Sequence, residues 1–330
     1  MTVELNIPGL VDLQVNGFMG VDFSSPDLTE EPFIWACQRL LRRGTAAFLP
    51  TVITSPVEVY ERNLPLIAKA LARPEFKGKL LGLHLEGPFI SPQPGAVGAH
   101  HPAWVRPPDL DLLKQLFDWA GYSVRILTLA AEFEGADTLA RWASEQGALV
   151  SLGHTLANSS DLDRLSEAGA KALTHLGNGL PQMLPKFANP IWAGLADDRY
   201  TAMFIADGHH LPDGVLRLMI HAKGVARSVI VSDAAPIAGL PPGNYTTLGN
   251  EVILEESGRL FNPAKGCLVG SSATLLECMN HLASQGYLSL EDLLALGFHN
   301  PLRLLGIDAV QIPPAEERFA FDERRRQFIQ

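Results

Sequence analysis

Eight short apolar runs, each about as long as a β-strand and separated by stretches of helical periodicity, constrain this chain more than any other feature. They read "GLVDLQV" ending at Val15, "TAAFLPT" at Thr51, "KLLGLHLE" at Glu86, "SVRILTLAAE" at Glu132, "ALVSLGH" at His154, "AKALTH" at His175, "TAMFIAD" at Asp207 and "SVIVSD" at Asp233. Strands alternating with helices argue for parallel βαβ units. The intervening segments "EEPFIWACQRLLRRG", "DLDLLKQLFDWAG", "SSDLDRLSEAG" and "PDGVLRLMIHAKG" carry apolar residues at helical spacing, and several open on Ser, Asp or Pro and close on Gly, as caps require. The expectation is an α/β fold, a (β/α)8 TIM-type barrel, in which all 330 residues form one hydrolase-sized domain.

Polarity falls at one place in these runs. Most stay apolar until their C-terminal end and then present a group able to bind a metal or move a proton: Gln14, Glu86, Glu132, His154, His175, Asp207 and Asp233. In a (β/α)8 barrel those ends converge on one face, where sites are built. His84 and Glu86 lie two apart at the end of the third run, so they project to the same side of the strand.

One region departs from the alternation. From Gly243 to Gly266, "GNYTTLGNEVILEESGRLFNPAKG" reads as strands and turns, a β-hairpin insertion after the eighth strand. About six residues precede the first strand, and the tail "PPAEERFAFDERRRQFIQ" reads as too polar for another core layer.

A formal charge of -10, with acidic residues scattered rather than clustered, offers no basic surface for a polyanion and argues against a nucleic-acid partner. No run approaches the roughly 18 apolar residues a bilayer span needs, and the start lacks a signal-like pattern, so neither membrane nor export is expected. Three cysteines, Cys37, Cys267 and Cys278, without CxxC spacing indicate neither a disulfide framework nor a four-sulfur site and fit a reducing cytoplasm.

Glu86, His154 and His175 supply one carboxylate and two imidazoles from the third, fifth and sixth strands, a donor set suited to an ion that keeps a position open for water. A bound divalent ion lowers the pKa of its water toward about 7. Asp233, at the end of the eighth strand, is placed to take that water's proton and return it to a leaving group. Spacing alone leaves Glu86 and Glu132 as equal candidates for the carboxylate ligand.

The segments "PGLVDLQVNG", "GLHLEGPF", "GAHHPAWVR", "SLGHT", "THLGNGLPQM", "ADGHH", "SDAAPIAG" and "LVGSS" follow one another as in the N-acetylglucosamine-6-phosphate deacetylases, a branch of the amidohydrolase superfamily, which the chain resembles from Pro8 to about Gly306. The resemblance implies that Glu86, His154 and His175 hold the metal and that Asp233 is general base and then general acid. Gln14 and Asn16 stand where many amidohydrolases carry His-x-His, which points to a single divalent ion, zinc first, with Fe2+, Mn2+ or Co2+ as alternatives. It places substrate contacts at Gln14, Ala99, His100, Asn178, Gly179, His210, Leu268, Val269 and Gly270, with His100 polarising the acetamide carbonyl. It implies an amino-sugar substrate, removal of acetyl from N-acetylglucosamine 6-phosphate, and a homodimer.

The chain departs from the family in three places. An arginine that meets the sugar phosphate in relatives is replaced by Ala188 within "PKFANPIWAG", with Lys186 and His209 as candidates to take its place. "THLGNGL" gives a smaller wall around Asn178, with Gly177 and Gly179. The accessory β-sandwich that relatives build from both termini is expected to be missing or rudimentary. These departures motivate two other readings, a deacetylase of an unphosphorylated or different N-acyl amino sugar, and a non-catalytic sugar-binding paralogue.

Overall fold

A computed structural model describes residues 2–5, 7–314 and 319–330. Eight parallel strands run in chain order around a barrel: β1 (Leu10–Val15), β2 (Thr45–Ile53), β3 (Leu83–Glu86), β4 (Val124–Leu129), β5 (Leu149–Leu152), β6 (Ala170–Leu173), β7 (Thr201–Ile205) and β8 (Ser228–Val231). Each strand from β1 to β7 forms a parallel ladder with the next. Every residue of β1, β3, β5 and β8 is buried, because barrel strands are covered by side chains inside and helices outside.

The last seam, between β8 and β1, is closed differently. A single bridge joins Val15 to Ala234, and the Asn16 N–H donates to the Ala234 carbonyl at 2.8 Å. Below it the Asp12 carboxylate replaces a ladder bond: its Oδ1 accepts from the backbone N–H of Ser232 at 3.1 Å and of Gln14 at 3.3 Å. Asp12 is wholly buried and its Oδ2 has no partner; burial pushes its pKa up to about 7.

The outer ring comprises α1 (Glu30–Leu41), α2 (Val57–Leu71), α3 (Leu110–Trp119), α4 (Ala136–Glu145), α5 (Ser159–Glu167), α6 (Pro190–Ala196), α7 (Asp213–Lys223) and α8 (Leu275–Ser284). The helices expected at 30–44, 109–121, 159–169 and 212–224 are α1, α3, α5 and α7. Asp109 caps α3, Asn158 forms a capping box with Asp161 at α5, and Asn189 with Pro190 opens α6. No helix among the described residues is long and apolar enough to cross a membrane.

The insertion after β8 is a four-stranded antiparallel sheet: β9 (Gly243–Thr247), β10 (Asn250–Leu254), β11 (Leu260–Asn262) and β12 (Cys267–Leu268). Val252, Leu254 and Leu260 face Ile53, Ile237, Leu248 and Val269 in a second apolar cluster, which seats the sheet on the rim of the barrel.

The tail differs from the sequence expectation. Ala320–Asp322 and Gln327–Ile329 join Thr2–Glu4 in a three-stranded antiparallel sheet, a rudiment of an accessory layer built from both termini. The charged run 323–326 forms only its turn, while Phe319, Phe321 and Phe328 are buried. Asn280 of α8 grips the Phe328 backbone through both its amide atoms, at 2.7 and 3.2 Å. Three aromatics at strand spacing outweigh the polar average of the segment.

Candidate active site

The polar residues expected at the strand ends lie just beyond them. His154, His175 and Asp233 each stand two residues past the last ladder residue of β5, β6 and β8, with φ of 49°, 32° and 50°. The left-handed region costs an L-residue about 1 to 3 kcal/mol, and it persists where the surroundings over-determine it. Here the turn out of each strand swings its side chain over the mouth of the barrel.

Glu86, at the end of β3, meets both imidazoles: its Oε1 is 2.9 Å from His175 Nε2 and 3.3 Å from His154 Nε2, and the two Nε2 atoms are 3.2 Å apart. Donors sharing one ion at bonds of about 2.0 to 2.2 Å in a tetrahedron stand about 3.3 Å from each other. The three atoms therefore have the spacing of ligands to a common ion, and this group could hold a metal. His154 Nδ1 lies 2.7 Å from the Ala96 carbonyl, which can only accept, so Nδ1 carries a hydrogen and Nε2 is the ring nitrogen turned toward the cluster. Burial raises the Glu86 carboxyl, and hydrogen bonds from His154 and His175 more than reverse that, holding it well below the ordinary range.

Glu132, the competing carboxylate, is turned away. Its Oε2 accepts from the Thr155 hydroxyl and its Oε1 from the Leu156 N–H at 3.0 Å, outside the cluster. His84 also lies off the cluster: buried inside the barrel, it spans the Leu13 carbonyl at 3.0 Å and the Thr128 hydroxyl at 2.8 Å. Burial lowers its pKa to about 4.

Asp233 faces this group from β8. Its Oδ1 accepts from Asn16 Nδ2 at 2.7 Å and Gln14 Nε2 at 3.1 Å, and the same Gln14 nitrogen lies 3.0 Å from Glu86 Oε1. Burial, with the Glu86 charge second, pushes Asp233 up to about 6. His100 brings its Nε2 to 3.1 Å from His154 Nε2 and 3.9 Å from Glu86 Oε2. Burial lowers its pKa to about 3, so the ring is neutral.

These groups floor a cavity of about 210 Å³ whose lining includes Ala99, Asn178, Gly179, His210, Leu268 and Gly270, all singled out in the sequence. Gly98 and Gly179 cradle the His154 ring so closely that a Cβ would meet it at 2.9 and 2.6 Å; both have positive φ. The Ala99 carbonyl is already held by Asn250 Nδ2 at 3.0 Å and Lys265 Nζ at 3.2 Å. Gln14 lies beneath the cavity, its amide spent on the two carboxylates, and the Val269 side chain is buried in the apolar cluster of the inserted sheet.

Asn16 was not among the expected contacts, yet it lines the cavity and makes the shortest bond to Asp233. Its signal was available, since it follows Gln14 by two residues in an extended segment. Of the residues proposed to replace the missing arginine, Lys186 Nζ sits 5.1 Å over the Phe187 ring and His209 Nε2 bonds the Ser257 carbonyl at 3.0 Å; neither lines the cavity.

A parallel barrel with a Glu/His/His donor group at its C-terminal mouth and an opposed buried carboxylate defines the amidohydrolase class of metal-dependent hydrolases. No family model matches the chain. It is 36% identical over 315 residues to N-acetylglucosamine-6-phosphate deacetylase of Bos taurus, covering 91% of this chain and 74% of that one. It is 31% identical over 309 residues to N-acetylgalactosamine-6-phosphate deacetylase of Escherichia coli O157:H7, covering 93% and 80%. The fold superposes on N-acetylglucosamine-6-phosphate deacetylase of Pasteurella multocida with a TM-score of 0.84 at 28% identity, covering 98% and 82%. The Mycobacterium smegmatis enzyme gives 0.85 at 25% identity, covering 98% and 87%. The chain belongs to the N-acetylglucosamine-6-phosphate deacetylase family.

Proposed function

We propose that residues 1–330 form a single hydrolase domain that removes the acetyl group from N-acetylglucosamine 6-phosphate, giving glucosamine 6-phosphate and acetate. The observation that carries this is the convergence of Glu86, His154 and His175 at ligand spacing, with Asp233 held opposite them. These three residues would hold one divalent ion, zinc in the first instance, which supplies Lewis acidity toward a water and toward the acetamide carbonyl.

The chain's own groups do the rest. Asn16 and Gln14 occupy Asp233 Oδ1, which leaves Oδ2 as the oxygen that accepts a proton from the attacking water and gives it to the departing amine. A carboxyl raised to about 6 suits both halves of that transfer near neutral pH. His100, neutral and buried beside the donor group, offers an N–H to the oxyanion as charge develops. Ala99, Asn178, Gly179, His210, Leu268 and Gly270 form the sugar-side wall.

The chain is read as cytoplasmic, consistent with three free cysteines, and as a homodimer. Met183 and Phe187, between β6 and α6, are 88% and 75% exposed and Trp192 of α6 is half exposed, apolar surface suited to a second copy. Acetate release is to be measured on N-acetylglucosamine 6-phosphate, N-acetylgalactosamine 6-phosphate and unphosphorylated N-acetylglucosamine, with metal content determined on the same sample. The expected result is one bound ion per chain and fastest turnover of the first sugar. A preference for the plain sugar would overturn the phosphate assignment, and metal-free, inactive protein under replete conditions would make the chain a sugar-binding paralogue.

A further inference from the structure

Asp207 has no part in the donor group or in the proton transfer given to Asp233, yet both its oxygens are engaged at the rim. It lies two residues beyond β7, partly buried with its side chain 4% exposed, and its Oδ1 accepts from the backbone N–H groups of His209 and His210, each at 2.9 Å. Its Oδ2 lies 2.7 Å from His210 Nδ1. Burial would raise this carboxyl; the His210 hydrogen bond, with the two amides, reverses that and holds it well below the ordinary range. An ionised carboxylate only accepts, so His210 Nδ1 carries the hydrogen. The other ring nitrogen, Nε2, has no hydrogen-bond partner among the described residues, and the ring lines the cavity with Asp233.

The loop bearing the pair is anchored from two other elements. Gly208, with φ +78°, passes so close to the His281 ring of α8 that a Cβ would stand 2.7 Å from it, and His281 Nε2 bonds Asp213 Oδ1 at 2.8 Å. His209 Nε2 bonds the Ser257 carbonyl in the turn between β10 and β11 at 3.0 Å. A carboxylate that locks the tautomer of a neighbouring imidazole also decides what its far nitrogen presents to a ligand.

We propose that Asp207 is a positioning residue for sugar binding: it fixes His210 with Nδ1–H on the carboxylate and Nε2 turned to the amino sugar, and so acts on substrate affinity rather than on the chemical step. This rests on the deacetylase reading of the cavity. It gives the wall at β7 a directed polar contact, whereas the segment around Ala188 offers no charged side chain to the cavity.

The test is Asp207→Asn. Asparagine keeps an Oδ1 for the two backbone amides but sets an N–H against His210 Nδ1, which must then accept, and the ring hydrogen moves to Nε2. Ring-nitrogen NMR of the substrate-free protein, with His210 assigned by its loss in His210→Gln, is expected to show Nδ1–H in the wild type and Nε2–H in the variant. KM for N-acetylglucosamine 6-phosphate is expected to rise about tenfold, the scale of one well-made hydrogen bond, with kcat within about threefold. His210→Gln is expected to raise KM similarly, and the double variant to be no worse than His210→Gln alone. An Nε2–H tautomer in the wild type overturns the proposal without any variant. So do a switched tautomer with unchanged KM, a fall confined to kcat, or multiplicative effects in the double variant. A wild type that releases acetate from none of the sugars would sink the deacetylase reading instead, while the tautomer measurement would still decide the role of Asp207.

Discussion

The C-terminal mouth of the barrel has two unlike ends. At one, Glu86, His154, His175 and Asp233 are buried at the ends of four different strands; the first three meet at about 3 Å, and Gln14 Nε2 links Glu86 to Asp233. At the other, the segment after β6 runs through Met183 and Phe187 almost wholly in solvent. On the proposed function the contrast would separate chemistry from identity, with reactive groups fixed to the rigid barrel and variation in sugar recognition left to a loop.

The largest effect is expected from breaking the donor group. His175→Ala removes one of three converging atoms, and metal measured after dialysis is expected to fall from one equivalent to a small fraction, with turnover lost. Retention of the ion at wild-type stoichiometry would show that the rigid end is not its site. Next comes Asp233→Asn, which keeps the shape and the metal but removes the proton carrier. Turnover is expected to drop about a thousandfold, within the span general acid–base catalysis supplies, while metal content stays at one equivalent. A near-normal rate would remove Asp233 from the mechanism.

The rigid end also has a cost that pH exposes. Asp12 closes the β8–β1 seam through Oδ1 while its Oδ2 is buried without a partner, and its pKa rises from 3.8 to about 7. Between those values the folded chain holds a proton that the unfolded chain has released, so stability falls as pH rises through that window and is level above it. About three units correspond to about 4 kcal/mol at most. Asp12→Asn keeps an acceptor for the seam and does not titrate. Denaturant unfolding is therefore expected to favour the variant progressively more, relative to wild type, from pH 4 to pH 7. Parallel stability curves for the two proteins would show that Asp12 is already ionised, or solvated, in the fold.

The same contrast governs what could be read from the sequence. The rigid end was legible, because a barrel strand is apolar until it stops and the first polar residue after it must face the mouth; that rule found His154, His175 and Asp233. It could not separate Glu86 from Glu132. The deciding fact is that Thr155 and the Leu156 amide hold Glu132, a contact between the loops after β4 and β5 that no local pattern encodes. Asp207 was visible as a polar strand end, but its role depends on a partner three residues on. A rudimentary accessory layer is within the sequence expectation, but the tail reads as too polar to supply it, because averaging over its charges hides Phe319, Phe321 and Phe328 and its partner strand lies some 320 residues earlier.

The smallest expected effect concerns the loop end. Ala188, where the sequence resemblance implies a phosphate-reading arginine, lies one residue before the Asn189 cap of α6, in a segment exposed enough to accept a long side chain. If the sugar's anionic end approaches this segment, Ala188→Arg adds a planar pair of donors and lowers KM for the phosphorylated sugar by about tenfold at low salt, with kcat nearly unchanged. The gain is expected to shrink as ionic strength rises and to be absent for unphosphorylated N-acetylglucosamine. Equal improvement on both sugars would mean that the guanidinium acts on the loop or on a neighbouring copy rather than on phosphate. No change on either sugar would mean that the anionic end lies elsewhere, and His210 at the β7 wall becomes the group to follow.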